Sequence, residues 1–528
     1  MLLLLLAVVV AAGAVSWQQA RQRDPHVRYG RFQLPGFDAY VYVAMAERPE
    51  VFTVSPWGYR VLPPALVHAL PFRNVVRGHR LVSFLAMALA GGALFAFLRR
   101  RGHAPWAALA GVALLGLTPP AARAVETPFL GEPVGLLLAI ALLVAIEAGA
   151  GWGVLALLAV LEVLAKDGAI VLALLPAVVL SPRRSGRERA VAATVFAVPA
   201  LLLTPLLRAW WTPHIPAVKA PVDTELLRAA LRTLEDAWPA TAVAALAGGL
   251  LPLALLGALR AAGRAYLRQY GASLVLLVAI AFLAWLNVPS REPVPLFGAN
   301  FERILVYAVP LLLPLVLIAL DRLVPNLRPA AASAPPGSQL LPALLAASSL
   351  VLPFVLVDRY RRVDLQGSRD GPLVLAIARE TWRTAARIAS GDAVVFDPAT
   401  RRFAWGDSDP GQLGRMRWFL REGWGGRAHY GTGEVVMHAP AATLILPLLE
   451  PAELEVQLRM MAMEPSPLAV TVNSHPVSAW MADATAAGHA FRVPARLLVR
   501  GDNLLTVSSP EGQRGARLRE LRYRRAAP

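Results

Sequence analysis

Residues 80–101 read RLVSFLAMALAGGALFAFLRRR. The apolar part, through Leu98, is close to the length a helix needs, since about 20 residues at 1.5 Å each cover a hydrocarbon layer of about 30 Å. Arg99, Arg100 and Arg101 then close it. An apolar run followed at once by a basic loop is the repeating unit of a helical membrane bundle. Outward from this stretch the pattern recurs. Apolar runs lie near 1–15, 80–98, 104–118, 132–149, 152–165, 168–180, 190–208, 241–260, 271–287, 303–320 and 339–357, eleven in all. Several are shorter than a straight span requires.

The arginines test the order of these runs. With the N-terminus inside, the inner loops hold Arg99–Arg101, then Arg183, Arg184, Arg187 and Arg189, then Arg260, Arg264 and Arg268, then Arg322 and Arg328. Every short Arg-dense loop falls on one side, as the excess of positive charge in cytoplasmic loops requires. The first run lacks a basic leader. It reads as a signal peptide or a retained first helix, and the spans that follow favour the helix. Either way, residues 16–79 form an outer loop.

Composition agrees. Of 528 residues, 56% are hydrophobic and 16% charged, and mean hydropathy is +0.51. A soluble globular domain carries about 25% charged residues. The net charge of +17 would suit nucleic acid in a soluble protein, but no basic-aromatic motif accompanies it and orientation of loops accounts for it. Nucleic acid is therefore not an expected partner. No cysteine is present, which removes disulfides, thiolate metal sites and cysteine nucleophiles. The nine histidines fall in no HExxH spacing, and no phosphate-binding glycine loop has the strand and helix context it needs, so zinc and ATP-driven transport are not expected.

Beyond residue 357 the composition changes. Residues 371–389 have the periodicity of an amphipathic helix. The stretch 391–435 is rich in Gly, Asp and Trp and reads as irregular. Strand signals follow at Ala442–Leu449, Leu454–Arg459, Leu468–Asn473, Phe491–Leu498, Asn503–Ser508 and Leu518–Tyr523. Ser474 and Pro476 interrupt the series and Gly501–Asp502–Asn503 marks a corner. Short strands at this spacing predict a sandwich. The fold class expected is an α-helical polytopic membrane domain over 1–357, a linking helix and irregular segment over 358–435, and an outer-face β-sandwich over 436–528.

Four clusters carry chemistry-bearing residues. Asp38 follows a Pro-Gly turn in the first outer loop. It caps a short helix, or serves as a general base or divalent-cation ligand at the membrane surface. Glu126 and Glu132 bracket a turn after the third span. They are solvated acids, or they help Asp38 hold a cation or orient an acceptor. Lys166 and Asp167 lie between two apolar stretches. Lys166 is one of two lysines in the chain, and it either snorkels beside Asp167 or meets a phosphate in a cavity. Arg303 opens the tenth span, placed to clamp a phosphate or to snorkel. Arg60 is an alternative for the phosphate.

The segments PGFDAYVY (35–42), PWGYRVLPPAL (56–66), LEVLAKDGAIVLALLP (161–176) and FERILVYAVPLLLPLVL (301–317) together resemble a polytopic GT-C membrane glycosyltransferase. The resemblance covers roughly residues 1–357. It implies a polyprenyl-phosphate sugar as donor, used on the outer face of a bacterial inner membrane, and transfer of a hexose or pentose with inversion to a hydroxyl of a glycan, lipid or protein acceptor. It implies Asp38 as catalytic base or metal-site member, Lys166, Arg303 and Arg60 as donor-phosphate contacts, and Glu126, Glu132 and Asp167 as acceptor- or metal-assisting groups. Mg²⁺ or Mn²⁺ is the cofactor such an enzyme would use. Ala39 follows Asp38 where the protein O-mannosyltransferase branch has a second acid, which argues against that branch. Separately, ATLILPLLEP (442–451), LAVTVNSHPV (468–477) and FRVPARLLVRGDNLLTV (491–507) look like a carbohydrate-binding jelly roll, with Ser474 where glycine is usual. The rival functions are a lipid-linked sugar transporter or flippase, and a non-catalytic membrane scaffold displaying a glycan-binding sandwich.

Overall fold

The computed structural model describes residues 2–21, 27–28, 31–32, 37–49, 59–71, 74–126, 128–166, 168–182, 185–211, 250–286, 303–323, 371–396, 423–424, 435–485, 487–512 and 514–527. The chain divides into two compact units. The first comprises Met1–Ala46, Tyr59–Leu206 and Val218–Ser368, and the second Glu47–Gly58, Leu207–Ala217 and Arg369–Pro528.

The first unit is helical. Its described helices are α1 (Leu2–Arg21), α2 (Phe37–Glu47), α3 (Leu62–His68), α4 (Val75–Arg100), α5 (Pro105–Leu117), α6 (Pro119–Glu126), α7 (Glu132–Ala148), α8 (Trp152–Ala165), α9 (Gly168–Val179), α10 (Gly186–Trp211), α11 (Leu250–Ala258), α12 (Ala261–Leu286) and α13 (Val309–Leu323). A two-stranded ribbon, β1 (Val27–Arg28) and β2 (Arg31–Phe32), precedes α2. Local chemistry sets the ends. The Asn74 side chain accepts from Val76 N at 3.0 Å and Arg77 N at 3.2 Å, capping α4, and Arg99 and Arg100 sit in its last turn where the helix dipole favours cations. Helix α1 packs on α4, burying Ala7, Ala11 and Val15.

Among the described residues three helices are long and apolar enough to cross a membrane: Val75–Arg100, Gly186–Leu207 and Ala261–Ala284. The eleven apolar runs are not eleven membrane-length helices. Pro105–Leu117, Trp152–Ala165, Gly168–Val179 and Val309–Leu323 are apolar but short, and 12 residues rise only about 18 Å. Glycines, prolines and charged residues that the apolar runs leave between them end these helices early. The run at 132–149 is one helix with a glutamate near each end. Residues 241–249, 288–302 and 339–357 lie outside the described residues. The outward faces of α10 and α12 expose Leu201, Leu202, Leu206, Val275 and Leu283, a lipid-facing surface rather than an aqueous one. The chain is a membrane protein.

The second unit holds helix α14 (Gly371–Ala389) and a β region. Its strands are β3 (Val394–Phe396), β4 (Val435–Val436), β5 (Ala441–Leu448), β6 (Leu454–Met461), β7 (Ser466–Val472), β8 (His475–Ala482), β9 (Gly488–Val493), β10 (Gly501–Ser508) and β11 (Arg517–Arg525). They form two antiparallel sheets, β5-β10-β7-β8 and β3-β11-β6-β9, with β4 also paired to β11. Leu444, Leu446, Val470, Val472, Leu505 and Val507 from one sheet and Val456, Leu458, Leu518 and Tyr523 from the other share one core. Their alternation along each strand is the period-2 pattern of a half-buried sheet. Strand β8 runs through the segment where Pro476 was expected to break the series. It is an edge strand, where proline's missing N–H costs no ladder bond. Asp502 and Asn503 lie within β10 rather than at a corner, and Gly501 alone takes a positive φ of 98°.

Candidate functional site

Four distant stretches of the first unit converge. Helix α2 is buried along Ala39–Ala46 and carries Asp38 in its first turn. Glu132 opens α7, with proline beside it at the helix start. Lys166 stands at the C-cap of α8, its N–H donating to Glu162 O at 2.8 Å. Arg303 lies in a short helical turn before α13.

Arg303 joins two carboxylates. Its Nε donates to Glu132 Oε1 at 2.7 Å and its Nη1 to Asp38 Oδ2 at 3.3 Å. Lys166 Nζ donates to the same Glu132 oxygen. The arrangement has depth. The side chains of Glu132 and Lys166 are 0% and 3% exposed, whereas those of Arg303 and Asp38 are 15% and 23% exposed. A buried pair therefore sits beneath an accessible one, with Arg303 linking them. Burial of a single charge here would be costly, and each of these groups has an opposite charge within reach. Arg60 Nη1 donates to Tyr42 Oη at 3.4 Å and acts electrostatically on Glu132 and Arg303.

Two glycines let the helices approach closely enough for this. A Cβ on Gly131 would stand 2.3 Å from Ala165 O, and one on Gly135 would stand 2.4 Å from Tyr307 Oη and 3.2 Å from Glu162 Oε1. At Gly131 a side chain would need the backbone to move, and at Gly135 it would need the Tyr307 side chain to move. Tyr307 Oη and Glu132 Oε2 are buried and have no hydrogen-bond partner among the described residues. Tyr307 and Glu162 lie inside apolar runs, and sequence reading did not single them out; Tyr42 lies in the quoted PGFDAYVY segment without a role assigned to it.

The other expected site residues fare differently. Lys166 is buried and engaged by Glu132. Glu132 is buried and holds two cations, Lys166 and Arg303, through one oxygen. Glu126 is the last residue of α6, and its side chain lies outside the described residues, as does Asp167. Among the described residues no group of three His, Cys, Asp or Glu is disposed to hold a metal ion. The carboxylates of Asp38 and Glu132 are bound to a guanidinium and an ammonium, a donor set that does not fit Mg²⁺ or Mn²⁺, which want oxygen ligands free of competing cations.

A second charged group marks the far end of α7. Arg101 Nη1 pairs with Glu147 Oε1 at 3.0 Å, and Tyr270 Oη donates to that oxygen at 2.5 Å. The Arg101 guanidinium also lies 5.2 Å from the Tyr266 ring centroid. In the second unit, Trp424 Nε1 donates to Thr443 O at 2.8 Å and is buried, a packing role. Trp480 stacks on His489 at 4.4 Å and 8°. Trp57, Trp405 and Trp418 lie outside the described residues.

No family model matches the chain, and no curated protein matches it. Among solved structures, the chain is similar to the Podospora anserina GH26-CBM35 β-(1,4)-mannanase at 16% identity and a TM-score of 0.18. That similarity covers 26% of this chain, and the chain spans 28% of the length of that protein.

Proposed function

We propose that the first unit is a membrane glycosyltransferase of GT-C type, and that Asp38 and Arg303 are its working pair. The observation that carries the reading is the convergence at one partly accessible point of Asp38, Lys166 and Arg303, which lie in three of the segments that carry the family resemblance, with Glu132 between them. The donor is a polyprenyl-phosphate sugar whose tail stays in lipid while its phosphate lies at the surface. Arg303, with Arg60 nearby, neutralises that phosphate as it leaves. Asp38 takes the proton from an acceptor hydroxyl, whose oxygen bonds to the anomeric carbon as the carbon–phosphate-oxygen bond breaks. A single displacement inverts that carbon. Glu132 and, through it, Lys166 are positioning residues, since Glu132 holds the guanidinium of Arg303 from beneath and is itself held by Lys166. No step is routed through a metal.

The same reading gives a multi-pass protein of a bacterial inner membrane with the N-terminus inside and the β region outside. In its support, Asp38, Glu132 and Arg303 meet at the amino end of α7, whereas Arg101 of the Arg-dense 99–101 loop pairs at its carboxyl end. The fifteen residue steps from Glu132 to Glu147 correspond to about 22 Å of helix. A site near one face and a basic loop near the other is what an outward-facing active centre requires.

The test is mass spectrometry of lipids that co-purify with wild type, Asp38→Asn and Arg303→Gln in mild detergent. A polyprenyl-phosphate sugar enriched in Asp38→Asn and lost from Arg303→Gln is expected. Equal occupancy in wild type and Asp38→Asn would move the reading to a lipid-linked sugar transporter. Absence of such a lipid from all three, after its stability in the detergent has been checked, would leave a scaffold.

A further inference from the structure

The outward face of the sheet β3-β11-β6-β9 carries three parallel rows of side chains. Strand register places Arg524, Glu455 and Arg492 in one row and Glu520, Arg459 and Gly488 in another. Between them runs Val395, Arg522, Gln457 and Ala490. The flanking rows are neutralised internally. Arg524 grips Glu455 Oε2 through Nε at 2.8 Å and Nη2 at 2.7 Å, and Arg492 reaches Glu455 Oε1 at 3.4 Å. Arg459 lies 3.9 Å from Glu520. The central row holds a cation and no carboxylate. Among the described residues Arg522 makes no ion pair, and across the strands it meets an amide and a methyl group. The short Ala490 leaves a cleft of about 500 Å³ lined by Glu455, Gln457, Arg492, Arg522 and Arg524.

We propose that this cleft binds a carboxylate-bearing saccharide, with Arg522 as the fork that takes the carboxylate. The volume is that of a small-ligand site rather than of a single ion. Three guanidiniums face one carboxylate, and that carboxylate is itself held by two of them, so the free charge is positive and centred on Arg522. Arginine matches a carboxylate bidentately. Gln457 and Glu455 add acceptors beside the donors, which sugar hydroxyls use. A plane of lipid phosphates would gain nothing from a concavity. The inference concerns the second unit alone and does not depend on the transferase reading.

The experiment uses the full chain in nanodiscs of zwitterionic phosphatidylcholine, titrated calorimetrically. The probes are trigalacturonate, a glucuronate-containing trisaccharide and sialyllactose, each beside its neutral counterpart, with phosphatidylglycerol vesicles as a further arm. At least one acidic saccharide should bind about tenfold or more tightly than its neutral partner, and Arg522→Gln should weaken it by about tenfold, the scale of a lost charge-assisted pair. Arg519→Gln, an equal loss of charge from an exposed position of the same strand outside the cleft, should leave binding within about twofold. Arg522 is exposed, so its variant keeps the fold, which a melting curve verifies. Failure of every acidic probe to outbind its neutral partner overturns the proposal. Equal losses in the two variants, or Arg522-dependent binding of the vesicles without saccharide binding, overturn it as well.

Discussion

Arg303 Nε rests 2.7 Å from Glu132 Oε1 although 171 residues separate the two. The carboxylate is fully buried and also holds Lys166. Removing its charge strands two cations, one of them buried. Glu132→Gln is expected to destabilise the first unit by about 3–5 kcal/mol. Thermal melting in detergent measures it. Adding Lys166→Met should recover part of the loss, because the double variant buries one cation fewer, and a double-mutant cycle reads that coupling.

Gly135 faces Tyr307 Oη at a distance that no Cβ tolerates. Gly135→Ala should cost about 1–3 kcal/mol through overpacking. In a Tyr307→Phe background the clashing oxygen is gone, so the same substitution should cost less. Melting temperatures of the four proteins decide this. Equal penalties in both backgrounds would mean that the neighbouring Glu162 and Lys166, not the hydroxyl, set the limit.

The β7–β8 hairpin turns on Asn473 and Ser474, at φ 51° and 71°. Two residues with positive φ make the turn whose twist suits a tight hairpin. Asn473 tolerates this well and its side chain is tied to Leu504 N and Leu497 O at 2.9 and 2.8 Å. Ser474 pays for a Cβ in the left-handed region. Ser474→Gly is expected to stabilise the β region by about 1 kcal/mol, measured by urea unfolding monitored at Trp480.

Asn503 is fully buried. Its Oδ1 accepts from Val499 N at 2.7 Å and from Asn473 at 2.9 Å, and its Nδ2 donates to Val499 O at 2.9 Å. Asn503→Leu leaves a backbone N–H and carbonyl without partners, at about 2–4 kcal/mol. Loss of the cooperative transition of the β region is the expected reading.

Burial lowers the His489 pKa from its ordinary 6.5. The ring lies against Trp480 and Phe491, and Nε2 is 2.7 Å from Ser478 Oγ. The folded state binds this proton less well than the unfolded state. Stability is therefore full above pH 6.5 and declines as the pH falls from there through the folded value. His489→Gln should flatten that part of the pH–stability curve, and NMR of the imidazole should show a midpoint below 6.5.

Much of this architecture follows from local pattern. The amphipathic period over 371–389 became α14, and alternating runs such as Leu454–Arg459 and Asn503–Ser508 became strands, because burial of one face writes itself into sequence. Membrane-crossing length did not follow from apolarity. Four apolar helices are too short, since hydropathy does not distinguish a lipid-facing helix from one buried in protein. Strand β8 was hidden by Pro476, whose tolerance depends on the strand being at an edge, a tertiary fact. At the site, Asp38, Arg60, Glu132, Lys166 and Arg303 stood out as charges among apolar neighbours. Their pairings did not. Lys166 meets Glu132, 34 residues away, and Tyr307 enters the site from within an apolar run that carries no local sign of it.

Helix α7 is anchored at both ends by ions. Glu132 is bound at one end and Glu147 at the other, each to cations from different parts of the chain. Sliding the helix by a single turn would break both sets at once. The segment is therefore a strut of fixed length, and the separation between its two charged ends is set by the protein's own rise per residue. The two charged ends therefore stay about 22 Å apart.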